Sequence, residues 1–209
     1  MTSIVPIVEG HGEERAVQLL IRRIVEQYAN RAWVDVRRPI RRPRGTLLDA
    51  AGMGASIELA VRRNPGCRVL VLLDADRACP VDVAQRIGAH AAAARPDVTT
   101  RVVVATCEYE AWLIAAVRSL AGRAGLPLEP LEPPGDPETI RDAKGWLRAH
   151  MPDGRRNVET IDQEKLTAVM DLDLARTARS FDKSCREVMS LVSQGDGRVV
   201  TSSSVDDQP

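Results

Sequence analysis

Three apolar runs in this chain end in acids. Residues 4–8 close on Glu9 and Gly10, residues 68–73 close on Asp74, Ala75 and Asp76, and residues 99–106 are followed by Glu108 and Glu110. Side chains two apart on a strand share a face, so Asp74 and Asp76 are expected to converge on one ion. Carboxylate oxygens are hard ligands and favour magnesium or manganese over zinc. Several carboxylates packed together repel one another unless a cation or protons neutralise them. Each acid taken singly has a plainer use. A carboxylate after a strand often caps the next helix, as Asp76 could, and Glu13 could serve the dipole of the helix it opens. Their repeated placement at strand ends favours a metal site.

Such acids need a frame, and the surrounding pattern supplies one. Residues 13–28 carry Val17, Leu20, Ile21, Ile24 and Tyr28 at helical spacing. Residues 33–36 are a second strand and 47–63 a second helix whose start is loosened by Gly52 and Gly54. The run 68–73, RVLVLL, is the strongest strand, followed by a helix over 81–94, a strand over 99–106 and a helix over 108–120. Near-continuous apolar strands alternating with helices predict an α/β fold with a four-stranded, mainly parallel sheet covered on both faces. In such a sheet ligands bind at the carboxyl ends of the strands, where the acids fall.

The expected organisation is a metal-binding domain over 1–123, a proline-rich linker over 124–138, a helical extension over 139–192 and a disordered tail over 193–209. Of 209 residues 44% are apolar but only 3% aromatic, so the core must be built from aliphatic side chains. Formal net charge is zero, which excludes a global basic field; nucleic-acid contacts would have to be local. The four cysteines form no CxxC pair and no zinc spacing with histidine, which fits a reduced, cytoplasmic protein. No run is long enough to span a membrane, and the N-terminus lacks the basic start of a signal peptide.

Arg37, Arg38, Arg41, Arg42 and Arg44 are five arginines in eight residues, held extended by Pro39 and Pro43. If this segment leaves the carboxyl end of the second strand it lies beside the acids, where it could grip a nucleic-acid backbone. The alternative is a solvated loop or one paired with the chain's own acids. Gly52, Met53 and Gly54 lack the Gly-Lys-Ser/Thr of a phosphate-binding loop, so ATP binding by this chain is not expected. Trp112 and Trp146 fit the core rather than base stacking.

The segment 4–10, IVPIVEG, resembles the first motif of Toprim domains, and 69–76, VLVLLDAD, resembles the second. With EGHGEE, LLDADR and CEYEAWL in this order, the chain is similar to a bacterial family of Toprim-like proteins, the domain of unknown function 4276, related to the Toprim domains of overcoming-lysogenization-defect nucleases. The resemblance covers about residues 4–120; Ala78 departs from it, standing where many second motifs carry Gly or Asp. It implies a Toprim-like sheet with catalytic roles for Glu9, Asp74 and Asp76. Glu9 would act as acid/base or metal ligand, and Asp74 and Asp76 would hold Mg2+ (or Mn2+). Glu13, Glu108 and Glu110 are then candidates to complete a two-metal site, Glu110 ahead of Glu108. A lysine near the metals is implied too, with Lys144 and Lys165 both open. The function so implied is a Mg2+-dependent nuclease acting on DNA or RNA, in anti-phage defence beside an ATPase partner. The proline-rich linker and C-terminal helices are expected to offer a surface for docking a partner or a second copy. The rival expectation is a non-catalytic binding or regulatory subunit of a larger nucleic-acid-processing complex.

Overall fold

The computed structural model describes residues 2–29, 33–151 and 159–193. The expected tail from 194 onward lies outside them. Strand β1 (Thr2–Val8) leads into helix α1 (His11–Tyr28). Two short strands follow, β2 (Val34–Val36) and β3 (Ile40–Arg41), then helices α2 (Arg44–Leu48) and α3 (Ala50–Arg63). Strand β4 (Arg68–Asp74), helix α4 (Pro80–Ala94), strand β5 (Thr100–Ala105) and helix α5 (Glu110–Ala115) complete the alternation. Helices α6 (Ala143–Ala149), α7 (Glu159–Val169), α8 (Leu172–Ala175) and α9 (Arg179–Ser193) form the C-terminal region.

The sheet is parallel throughout, in the order β2-β1-β4-β5, with β3 on the same edge of β1 as β2. It has five strands where four are expected from the sequence. The extra strand is β3, two residues inside the arginine segment, too short to leave a periodicity. Its place explains a proline in a central strand. The carbonyls of Ile4 and Val8 accept the N–H groups of Arg37 and Arg42. Pro6 is in phase with both and so faces the interruption between β2 and β3, where its missing donor costs no ladder bond.

Strand alternation divides the interior in two. Ile4, Val8, Leu70, Leu72 and Val103 face α1, α5 and the C-terminal helices. Val5, Ile7, Val69, Val71 and Val104 face α3 and α4. The C-terminal helices share the first of these cores: α7 packs on α1, and α9 packs on α1 and β5. Trp112 is fully buried there, edge-on to Phe181 at 5.2 Å and 4.8 Å from Tyr109 between centroids. Leu126, in the expected linker, is buried against the same core.

The expected helix over 47–63 is broken at Asp49, whose extended backbone starts α3 and whose carboxylate accepts the Gly52 N–H at 2.8 Å. Gly52 is needed there because a Cβ would meet Thr46 Cγ2 at 2.8 Å.

Candidate metal centre at the carboxyl edge of the sheet

Glu9 follows β1 directly, and Gly10 turns the chain into α1. Glu13, in the first turn, reaches back and accepts the N–H groups of Gly10 at 3.0 Å and Glu9 at 3.3 Å. A side chain at Gly10 would press on this carboxylate, its Cβ only 3.2 Å from Glu13 Oε1. The Glu-Gly pair is thereby tied to the acid four residues on. Glu13 closes the helix end as the plainer reading has it, and it also faces the other acids.

Asp74 is the last residue of β4, and its carboxylate accepts the Tyr109 N–H at 2.9 Å, which anchors the start of α5. Asp76 does not follow the strand's alternation. It is left-handed, φ 52°, as is Cys107 across from it, φ 61°. The pairing of β4 with β5 runs on past both strand ends, with Ala75 N–H bonded to the Ala105 carbonyl at 2.8 Å and Asp76 N–H to the Cys107 carbonyl at 3.0 Å. This turn directs Asp74 inward and leaves the Asp76 side chain 58% exposed. Asp76 does not cap α4, whose N-cap is Cys79.

Arg44 enters this group from across the sheet. Its guanidinium lies 3.2 Å from Glu9 and 3.5 Å from Asp76, and donates to the carbonyls of Asp74 and Ala75. The other arginines of the segment stay outside. Arg37 pairs with Asp35 at 2.9 Å, Arg38 lies 3.9 Å from Glu14, and Arg41 is exposed on β3. Between the two lysines left open by the sequence the fold distinguishes clearly. Lys165 is exposed on α7, whereas the charge of Lys144, at the start of α6, acts on Glu9, Glu13 and Asp74. The Lys144 N–H is itself fixed by Glu108 at 3.0 Å. Nothing in its local sequence announces this; it depends on where α6 lands.

Electrostatically the acids are frustrated. Burial, then the charges of Glu13 and Glu110, hold the Asp74 carboxyl well above its ordinary range. Burial chiefly, with Glu9, pushes Glu13 up to about 7 against its hydrogen bonds from Gly10 and Glu9. Glu9 is raised by burial despite Arg44. Glu110 is buried and acts on both Asp74 and Tyr109, while Glu108 lines a cleft of about 470 Å³ with Asp76, Arg77, Cys107 and Arg141. Thus Glu9, Glu13, Asp74 and Glu110 are drawn together, Asp76 joins them through Arg44, and Glu108 sits on the cleft side.

This donor set is all oxygen, and carboxylates that raise one another's pKa fit a hard divalent cation in chemistry. Among the described residues no three side chains already converge at ligand distance. Arg44 occupies the gap between Glu9 and Asp76 instead.

The family model of a domain of unknown function (DUF4276) matches residues 8–188 of the chain. No curated protein and no solved structure matches it. Among the described residues no helix is long and apolar enough to cross a membrane.

Proposed function

The chain belongs to the DUF4276 family, and from the carboxyl edge of its sheet we propose that it is a divalent-cation-dependent enzyme cleaving phosphodiester bonds in nucleic acid. One observation carries this reading: carboxylates from the ends of β1 and β4 and the starts of α1 and α5 meet at one edge of the sheet and raise one another's pKa, with Arg44 and Lys144 as the positive charges beside them. A fold gains nothing in stability from such crowding. The likeness of Glu9-Gly10 and Asp74-Ala75-Asp76 to the two Toprim motifs supports it.

Glu9, Asp74 and Asp76 would hold Mg2+ or Mn2+, with Glu13 and Glu110 behind them. When bound, the cation supplies charge neutralisation and polarisation of a phosphoryl oxygen. The chain's own groups do the rest. Glu13, with a pKa near neutrality, can take a proton at Oε1, the oxygen not used to close α1. Lys144 and Arg44 offset negative charge as it grows on the phosphate. Arg77 and Arg141, in the cleft beside Asp76, can hold the flanking phosphates, with Arg38, Arg41 and Arg42 on the opposite approach.

The rival reading is a non-catalytic binding or regulatory subunit. It is favoured by Arg44, which already neutralises Glu9 and Asp76 as a built-in cation.

Incubating the purified chain with supercoiled plasmid, single-stranded DNA and RNA, with Mg2+ or Mn2+, beside Glu9→Gln, separates the two. The enzyme reading expects cleavage that needs metal and is lost in the variant. Full cleavage by Glu9→Gln would remove Glu9 from the reaction, and no cleavage of any substrate favours the rival.

A further inference from the structure

A second cleft, also of about 470 Å³, adjoins the one beside the acids, and Thr106 at the end of β5 lines both. Its far wall is α9, which contributes Arg179, Lys183 and Arg186. These lie at positions i, i+4 and i+7, one face of the helix. They cover about 10 Å of its length, the rise of roughly two to three stacked nucleotides. The near wall is Pro80 and Val81 at the start of α4, where Val81 is 58% exposed.

The cations and acids lining the two clefts are unequally committed. Asp136 accepts the Glu138 N–H at 2.9 Å. Glu138 accepts the N–H groups of Arg179 at 3.0 Å and Ser180 at 2.9 Å, so its charge closes the start of α9. Arg186 is paired with Asp182. The side chains of Arg77, Arg141 and Arg179 enter no ion pair among the described residues. Among the described residues Lys183 reaches only a carbonyl, that of Val102, at 3.3 Å. Glu108, Asp136 and Glu138 are held by backbone donors and Asp76 by Arg44, which leaves Arg77, Arg141, Arg179 and Lys183 for a ligand.

We propose that the two clefts form one track that leads a single strand of nucleic acid away from the carboxylates, between α4 and α9, with Arg141, Arg179 and Lys183 on successive phosphates. This rests on the phosphodiester reading and adds the substrate's form and path. Among the described residues no aromatic ring lines either cleft, so bases are not stacked. Recognition is of the backbone, sequence-independent and salt-sensitive.

The test is fluorescence anisotropy of a labelled single-stranded oligonucleotide with the full chain in chelator, so that no cleavage is needed. Arg179→Glu/Lys183→Glu should weaken binding at least about tenfold and flatten the log–log salt slope by about 1.4, near 0.7 per lost contact. Arg179→Gln/Lys183→Gln, which adds no acid to α9, should show the same direction with a smaller loss, and circular dichroism checks that each variant folds. Unchanged affinity and slope in both variants would overturn the track, as would a wild-type chain that binds no single strand. The outcomes separate from those of the nuclease reading. Loss of binding in the variants with no cleavage by the wild type sustains the track and removes the enzyme. Cleavage by the wild type with unchanged binding in the variants does the reverse.

Discussion

Arg44 lies 3.2 Å from Glu9, the two brought together from the start of α2 and the end of β1. Both are only about a quarter exposed, and the same guanidinium reaches Asp76 and two carbonyls of the β4 turn. Arg44→Gln should therefore lower stability in chelator by on the order of 1–2 kcal/mol, the scale of a partly screened charged contact with hydrogen bonds. Added Mg2+ should restore much of it, because a cation can replace the lost charge. Thermal melts with and without metal measure this; an Arg44→Gln chain as stable as wild type in chelator would contradict it.

Asp74 has two duties that substitution can separate. Its carboxylate accepts the Tyr109 N–H, and its charge adds to that of Glu13 and Glu110. Asp74→Asn keeps an acceptor and removes the charge, so without metal it should be more stable than wild type at pH 8. Asp74→Ala leaves the Tyr109 donor without its partner and should fall below Asp74→Asn by about 1–3 kcal/mol. Urea denaturation of the three chains in chelator gives the order.

Glu13 makes the metal-free protein sensitive to pH. Its folded pKa of about 7 lies above the ordinary 4.5, so the folded state binds more protons than the unfolded one between these values. Stability is then highest below about pH 4.5, as far as this group is concerned, and falls as pH rises through about 7, by on the order of 3 kcal/mol. Glu13→Gln, which can still accept the Gly10 N–H, should flatten this slope. Unfolding free energies across that window, in chelator, check the sign.

Ser180 joins the C-terminal helices to the sheet. Its hydroxyl accepts the Trp112 Nε1–H at 2.7 Å and the Thr106 N–H at 3.2 Å, and contacts Glu138. Ser180→Ala leaves two donors unpaired and should cost about 2–4 kcal/mol, or roughly 5–15 °C in melting temperature. A shift of a degree or less would show that this junction matters little.

Much of this was legible in the sequence because β1, β4 and β5 are buried on both faces and so read as unbroken apolar runs. The acids that end these runs stand out in the sequence for the same reason. What escaped depends on contacts between distant segments or on backbone turns. The left-handed conformation of Asp76 sets it apart from Asp74, where strand alternation alone would have paired them. Arg44 reads as one of five equivalent arginines until the pairing of β3 with β1 carries it to Glu9. Arg77 adjoins the Asp74-Ala75-Asp76 turn and so had a local signal, but Arg141 gave none before α6 and the preceding loop were placed beside Glu108. The C-terminal helices read as an appendage because nothing in their periodicity says that Phe181 packs on Trp112.

Mn2+ binding followed by electron paramagnetic resonance tests, without requiring a substrate, whether these carboxylates form a divalent-cation site. The wild-type chain should bind Mn2+, Mg2+ should compete for it, and Asp74→Asn/Asp76→Asn should abolish binding while keeping the fold. A wild-type chain that binds no Mn2+, or a double variant that binds it equally well, would rule this site out.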